Sequence, residues 1–359
     1  MLIDRYILRQ LISTLLFSLI ALCLIFLIVN LMETLDDFID HNAGILEIVE
    51  YYINFFPYIL SIMTPVAMLL ATLFTIGKLS TMNEITAMKS GGLSLYRLMI
   101  PLVLFSIVLS FAQLYFNGWI VPKANERKIE LERVYLGKSS GGMGLYNIYF
   151  RDKPLRNVIM QYYDERTKSA TRVTIEDYTS EKQPRISQRI ETDRLIWSDD
   201  KHKWIARSGI IRYINNSKIS SDRFDSLEIS LNITHNKIIQ LKRSPSEMNF
   251  DEIKQYIELL KMGGKDIRRQ QIEYHGNYAF PFANFIVILF GVPFASVRKK
   301  GGLAIQIGAA MIISFLYLVF TKISQTIGFS AGLDEMLTGW LANILFFIFG
   351  LIVLLKTKT

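Results

Sequence analysis

The chain has 359 residues, of which 51% are hydrophobic and 20% are charged. It is too apolar for an ordinary soluble domain and too charged to lie in a membrane throughout. A single cysteine, Cys23, excludes a disulfide framework within the chain and any zinc or iron–sulfur site built on cysteines. The placement of the apolar and charged residues is therefore more informative than the net charge of +8.

The apolar residues form six runs that contain no Asp, Glu, Lys or Arg. Each run has about 20 residues or more, the length that a helix needs to cross roughly 30 Å of hydrocarbon. The first run is too long for a signal peptide and lacks a small-residue cleavage site, so we expect it to stay in the protein. We predict a polytopic α-helical membrane protein whose six spans are Leu11–Leu31, Tyr51–Gly77, Leu98–Pro122, Gly276–Val297, Gly301–Thr321 and Met336–Leu355.

The short loops carry charge asymmetrically. Ten of the eleven basic residues outside the long segment 123–273 fall on one side: Arg5, Arg9, Lys78, Lys89, Arg97, Arg298, Lys299, Lys300, Lys356 and Lys358. The loop between the first two spans carries only acidic charges, from Glu33 to Glu50. The positive-inside rule then predicts that both termini are cytoplasmic and that residues 123–273 lie outside the cytoplasm.

Residues 123–273 have the pattern of a β domain. Leu227–Thr234 alternates apolar and polar residues, and so does the segment around Val173 and Ile175. Leu195–Trp197 and Lys203–Ile205 flank a polar turn, as in a hairpin. We predict a β-sandwich, jelly roll or open barrel with flanking helices, inserted between two sets of three spans at 1–122 and 274–359. The second flanking helix places Phe250, Ile253, Ile257 and Leu260 on one face, with Asn249 as its cap and Gly263-Gly264 as its end.

Signals for an enzyme or a nucleic-acid-binding protein are weak. The four histidines are far apart in sequence, and Gly137-Lys138-Ser139 lacks the preceding glycine of a nucleotide-binding loop. Basic residues of the β domain alternate with acidic ones, so they form no patch for nucleic acid. We expect no catalytic residues, no metal site and no cofactor bound by this chain.

The loop between spans two and three predicts a short cytoplasmic helix at about residues 81–91. Thr81 and Glu84 have the spacing of a capping box, and Gly91 provides a C-terminal stop. Two interpretations fit Glu84: it caps this helix only, or the helix transmits motion from a cytoplasmic partner.

The spans carry no charge, which disfavours a proton-coupled transporter or an ion channel. Prolines at positions 57, 65, 101, 281 and 293 predict breaks in spans two, three and four. Basic residues at the predicted outer ends of the spans either form a charged rim around an apolar substrate site or anchor the helices at the interface. These residues are Lys322, Lys123, Arg127, Lys128 and Arg133.

Two segments resemble the permease family of the bacterial lipopolysaccharide-export ABC transporter (LptF/LptG type). Asn83-Glu84-Ile85-Thr86-Ala87-Met88-Lys89-Ser90-Gly91-Gly92 is similar to the coupling helix of that family. The segment from Pro281-Phe282-Ala283 through Leu289-Phe290-Gly291-Val292-Pro293-Phe294 to Arg298-Lys299-Lys300-Gly301-Gly302 resembles its signature for spans four and five. The chain could be the F-type or the G-type paralogue, and the sequence Glu84-Ile85-Thr86 favours the F-type.

The resemblance implies a function and a set of partners. A second permease of the family, a cytoplasmic ABC ATPase dimer that uses ATP, and a single-span periplasmic jelly-roll protein leading to a bridge protein would assemble with this chain. Together they would extract lipopolysaccharide from the inner membrane of a Gram-negative cell. Glu84, Ile85 and Met88 would couple to the ATPase, while Lys322, Arg133 and Lys128 would meet lipid phosphates, and the β domain would be a periplasmic jelly roll.

One feature departs from the family pattern. Some members carry basic residues at the outer end of span one, where this chain has Glu33, Asp36 and Asp37. Phosphate binding there would need positive charge from a partner chain or a divalent cation. An alternative function from another class is a membrane-anchored assembly or signalling scaffold whose external β domain binds proteins.

Overall fold

The computed structural model describes residues 2–135, 144–180, 184–215, 218–240, 243–262, 265–296 and 302–357. Its contacts divide the chain into a helical unit, residues 1–137 and 268–359, and a β unit, residues 138–267. The prediction had divided the chain at 123 and 273. Here the helix that follows span three and the first helix of span four pack with the helical unit.

The helical unit consists of long apolar helices together with shorter or more polar ones. They are α1 (Leu2–Asp40), α2 (Ile45–Thr81), α3 (Glu84–Ser90), α4 (Leu95–Tyr115), α5 (Val121–Tyr135), α8 (Arg268–Ala279), α9 (Ala283–Ser296), α10 (Gly302–Ala331) and α11 (Glu335–Lys356). A π-helical turn, Phe116–Ile120, joins α4 to α5. Within the described ranges, six helical stretches are long and apolar enough to cross a membrane, which matches the six predicted spans. Arg298–Gly301, part of the span-four-to-five signature, lies outside the described residues.

The six stretches differ in how deeply they are buried. In the most apolar window of each stretch, 72% of the residues of α2 and of α8–α9 are buried, against 17% for α1 and 22% for α10. Spans two and four therefore form the centre of the helical unit. Spans one and five present most of their apolar side chains at its surface.

The predicted helix breaks occur in one of the three spans. Pro57 and Pro65 lie inside the continuous helix α2, and Pro101 lies inside α4, so the prediction was wrong for spans two and three. In span four, Pro281 lies in a 3₁₀ turn, Phe280–Phe282, between α8 and α9, whereas Pro293 lies inside the continuous helix α9, so the prediction was wrong there. A proline early in a helical segment is tolerated because its missing N–H would have no partner inside the helix.

Two asparagine side chains satisfy carbonyl groups at this turn. Asn343 of α11 donates to the Ala279 carbonyl at 2.5 Å and accepts from the Tyr317 hydroxyl of α10 at 2.6 Å. Asn284 donates to the Pro281 carbonyl at 2.9 Å and to the side-chain oxygen of Gln113 on α4 at 2.5 Å. These contacts connect spans three, five and six to the turn in span four. Since lipid offers no hydrogen bonds, the carbonyl groups at the turn depend on these side chains for partners.

The β unit contains one antiparallel sheet whose strands follow chain order. They are β1 (Gly144–Lys153), β2 (Arg156–Asp164), β3 (Ser169–Tyr178), β4 (Ile186–Ser198), β5 (Lys203–Asn215) and β6 (Lys218–Ile229). The predicted fold class, six membrane helices with an inserted all-β domain, is confirmed. Its described strands connect as a meander, each pairing with the next, rather than through the Greek-key crossovers of a double-sheet jelly roll.

Apolar side chains on one face of the sheet form the core of the β unit. The predicted hairpin is present, with Trp197 opposite Trp204 across β4 and β5. Trp204 is fully buried, and its indole N–H donates to the Ile233 carbonyl at 2.8 Å. The segment after β6 turns toward Asp152, whose carboxylate accepts the Asn232 N–H at 2.6 Å. The predicted strand Leu227–Thr234 therefore ends at Ile229 and not at 234, because the backbone after it bonds to β1 instead of continuing the ladder.

Two helices of the β unit follow the sheet, α6 (His235–Gln240) and α7 (Phe250–Met262). The four apolar residues predicted to share a face of α7 are all buried. Asn249 caps the helix as predicted: its side chain accepts from the Glu252 N–H, and the Glu252 carboxylate accepts from the Asn249 N–H, both at 2.9 Å. The predicted stop at Gly263-Gly264 lies outside the described residues.

One row of residues crosses the sheet without joining the ladder. It comprises Asn147, Gln161, Arg172, Asp193, Ser208 and Asp225, one from each strand. Pairing resumes in the same register beyond this unpaired row, because every strand spends one residue there. Arg172 and Ser208 have φ of 49° and 52°, a left-handed conformation that is uncommon inside a strand.

The inward-facing positions change parity at the unpaired row. In β4, Ile190 and Thr192 are buried before it and Leu195 after it. The Thr192 hydroxyl donates to the Arg207 carbonyl at 2.8 Å, which satisfies a backbone acceptor beside the interrupted ladder. A simple alternation of apolar and polar residues therefore holds only within each half of these strands.

Candidate functional site

The short helix predicted between spans two and three is present as α3, inside the predicted limits of 81–91. The predicted capping box is absent, because Thr81 is the last residue of α2 and its hydroxyl donates to the Gly77 carbonyl at 2.8 Å. Asn83 precedes α3 with φ of 61°. At the other end Gly92, with φ of 85°, follows the cap residue Gly91 and allows the chain to turn toward α4.

The three predicted coupling residues lie on the side of α3 that faces the other helices of its unit. Ile85 is buried in the main apolar cluster, and Met88 packs against that cluster. Glu84 is half-buried, and its carboxylate accepts a hydrogen bond from the Tyr6 hydroxyl of α1 at 3.3 Å. These residues hold α3 in place, and the side chains on its exposed face are Thr86, Ala87 and Ser90.

The basic residues at the predicted outer ends of the spans differ in their surroundings. Lys128 pairs with Glu132 at 3.2 Å and lies 4.5 Å from the centre of the Phe55 ring, with only 14% of its side chain exposed. Arg127 pairs with Glu50 and Glu130, each at 2.6 Å. These contacts fit the interpretation that Lys128 and Arg127 anchor α5 to α2. Arg133 lies half-buried on α5 and Lys123 is exposed.

Lys322 has a different setting, because it is exposed on α10 and lines a cavity of about 370 Å³ between α8 and α10. Arg269 of α8 lines the same cavity, together with Glu273, Gln325 and Thr326. Two cations and one carboxylate give this cavity a net positive charge. The guanidinium and ammonium groups can both donate hydrogen bonds to a phosphate.

A second cavity, of about 540 Å³, lies along the unpaired row of the β unit. Its lining mixes charged side chains such as Arg172, Asp193 and Arg223 with apolar ones such as Ile210 and Phe224. A Cβ on Gly209 would overlap both the Glu191 carbonyl and the Phe224 ring, so glycine at this position permits the close packing beside the cavity.

Comparison with known proteins assigns the family. The family model described as lipopolysaccharide export system permease LptF/LptG matches residues 5–356. The chain belongs to this family. The lipopolysaccharide export system permease protein LptG of Haemophilus influenzae is 21% identical over 357 residues, which cover 96% of each chain. LptG of Escherichia coli K12 is 21% identical over 368 residues, covering 99% of this chain and 98% of the relative.

The LptF/LptG match agrees with the resemblance predicted from the coupling segment and from span four. The chain is a multi-pass inner membrane protein of the lipopolysaccharide export permease family. The two relatives are LptG proteins at 21% identity, and the family model that assigns the chain covers both the F-type and the G-type paralogue.

Several residues around these sites were missed by the sequence analysis. Arg269 was counted as part of the β domain, yet α8 brings it to the cavity of Lys322. Tyr6 lies 78 residues before Glu84, so no local pattern links them. The polar residues inside the spans, such as Asn284 and Asn343, are uncharged and escaped a search for intramembrane charge.

Proposed function

We propose that this chain is a non-catalytic permease subunit of an ABC transporter that takes lipopolysaccharide out of the inner membrane. A second permease of the family completes the membrane unit, and a separate cytoplasmic ATPase dimer uses the ATP. Both termini are cytoplasmic and the β unit is periplasmic. The lipid passes from the β unit to a single-span jelly-roll partner and a bridge toward the outer membrane.

The family match over residues 5–356 carries this proposal, and the burial of the spans supports it. The apolar faces of α1 and α10 are exposed, as at Phe17 (73%) and Phe315 (65%). Side chains of this kind suit acyl chains or an apolar partner helix. Because α1 and α10 share this exposure, the lipid would enter between the spans of this chain and those of the second permease.

The cavity that contains Lys322 and Arg269 supports a role in phosphate recognition. A lipid with acyl chains and phosphorylated sugars needs an apolar wall with cations at its rim. In this proposal Lys322 and Arg269 supply that rim on α10 and α8. Lys128 and Arg133 were predicted for the same role, and the Glu132 carboxylate neutralises Lys128, so we place Lys322 first.

Photo-crosslinking in proteoliposomes tests the proposal. The complete transporter is reconstituted with lipopolysaccharide, and a photoreactive residue replaces Phe17, Phe315 or, as an equally exposed control on α11, Phe349. We expect lipid adducts at positions 17 and 315 that decrease when ATP is added. Adducts of equal strength at all three positions, unchanged by ATP, would contradict transport and favour a membrane scaffold.

A charge reversal tests the phosphate rim separately. Lys322→Glu should lower lipopolysaccharide crosslinking and release about tenfold, the effect of losing one charge-assisted contact. Lys356→Glu, an exposed lysine at the end of α11, is the matched control and should retain wild-type release. Equal release by both variants would remove Lys322 from the site while leaving the transport proposal intact.

A further inference from the structure

The N-terminal turns of α1 bond to both helices that follow α2. The Asp4 carboxylate accepts two hydrogen bonds from the Arg97 guanidinium of α4, at 2.8 and 2.9 Å. Two residues further on, the Tyr6 hydroxyl donates to Glu84 at the start of α3. Paired guanidinium–carboxylate bonds fix direction as well as distance, so the start of α1 is held in a defined orientation against α3 and α4.

Apolar contacts join the same three helices just inside these polar bonds. Ile7 and Leu11 of α1 are fully buried, in the same cluster as Ile85 of α3 and Leu98 of α4. A displacement of α3 would therefore strain the packing of α1 as well as its hydrogen bonds. Close-packed side chains transmit displacement rather than absorb it.

Helix α1 is built to carry such a displacement over a long distance. It is continuous from Leu2 to Asp40 and contains neither proline nor glycine, the usual causes of a kink. At 1.5 Å per residue it is about 58 Å long. Side chains along its length are packed, for example at Leu11, Cys23 and Phe38, while others such as Phe17 and Ile25 are exposed.

We propose that Tyr6 and the Asp4–Arg97 pair are positioning residues that connect the coupling helix α3 to α1. The inference rests on the proposed function and adds a route within one chain: α3 moves with the ATPase, α1 moves with α3, and the exposed apolar face of α1 moves relative to the lipid. Tyr6 and Asp4 touch neither nucleotide nor lipid in this scheme. Their loss would separate ATP hydrolysis from lipid movement without stopping hydrolysis.

The experiment compares lipid release per ATP hydrolysed in proteoliposomes that contain the complete transporter and lipopolysaccharide. Tyr6→Phe removes only the hydroxyl, and Tyr96→Phe removes a hydroxyl from a tyrosine of similar exposure at the start of α4. We expect Tyr6→Phe to hydrolyse ATP within about twofold of wild type and to release about fivefold less lipid per ATP, a typical coupling effect. Tyr96→Phe should match wild type in both.

A charge exchange tests the ion pair and guards against misfolding. Asp4→Arg and Arg97→Asp should each lower the ratio of lipid release to ATP hydrolysis by about fivefold or more, and the double variant should recover most of it. Wild-type ratios in Tyr6→Phe and in both single charge variants would overturn the positioning role. A wild-type transporter that hydrolyses ATP and releases no lipid would instead overturn the proposed function.

Discussion

Replacement of Asn343 by leucine should destabilise the helical unit by about 1–3 kcal/mol. The side chain is 5% exposed and holds two interhelical bonds, to the Ala279 carbonyl at 2.5 Å and the Tyr317 hydroxyl at 2.6 Å. Leucine has the same branched arrangement of side-chain heavy atoms but no polar atom, so the substitution removes both hydrogen bonds without leaving a cavity. A buried group left without a partner costs about 1–3 kcal/mol, whereas bonds between membrane helices average about 0.6 kcal/mol.

The free energy of unfolding can be measured for the purified chain in mixed micelles, with Asn277→Leu on α8 as an exposed control. Tyr317→Phe should cost about 0.5–1.5 kcal/mol, because it removes one of the two bonds. The double variant should cost less than the sum of the single ones, since both share a hydrogen bond. A change below about 0.3 kcal/mol in Asn343→Leu, or strict additivity, would refute the view that this asparagine closes the break in span four.

Three further predictions concern other parts of the chain. Gly291→Val should cost about 1–3 kcal/mol in the same unfolding assay, because a Cβ there lies 2.8 Å from the Thr72 methyl group; wild-type stability would contradict this close contact. Burial lowers the pKa of His235, so the unfolded chain binds its proton more readily. Thermal unfolding of the β unit should therefore occur at lower temperature as the pH falls below about 6.5, and His235→Gln should flatten that dependence. On α3, Thr86→Arg should weaken binding of the ATPase about tenfold and leave the stability unchanged, whereas Ile85→Ala should lower the stability by about 2–4 kcal/mol. If Thr86→Arg instead lowered the stability and Ile85→Ala weakened only the binding, Ile85 would lie on the exposed face of the helix.

The positions of the spans along the chain could be predicted from the sequence because they depend on the length of each run and on its lack of charge. A run of about 20 uncharged residues has few structures open to it, and each of the six runs overlaps one of the six helical stretches of the described residues, with a 3₁₀ turn inside the fourth. The face of α7 was also predictable, since its four apolar residues and its cap lie within thirteen residues of one another. The residues within such an element are enough to predict it.

The site was predicted less completely because its contacts join distant parts of the chain. The residues Glu84, Ile85 and Met88 lie on the predicted short helix, and their inward direction depends on the cluster formed with α1 and α4. Thr81 shows the limit of a spacing rule: the capping-box pattern is present, yet α2 continues through Thr81 and uses its hydroxyl. Strand β6 ends early for a similar reason, since Asp152 on β1 captures the backbone that follows it.

The unpaired row of the β unit constrains how this sheet can change in evolution. Each of the six strands spends one residue on the row, and the pairing on both sides keeps a single register. Deleting that residue from one strand, for example Asp193, would turn the side chains of half the strand to the opposite face while its neighbours stayed unchanged. Gains and losses at this row must therefore occur in all strands together. Homologous sequences should lengthen or shorten at the hairpin turns and keep a constant number of residues between each turn and the row.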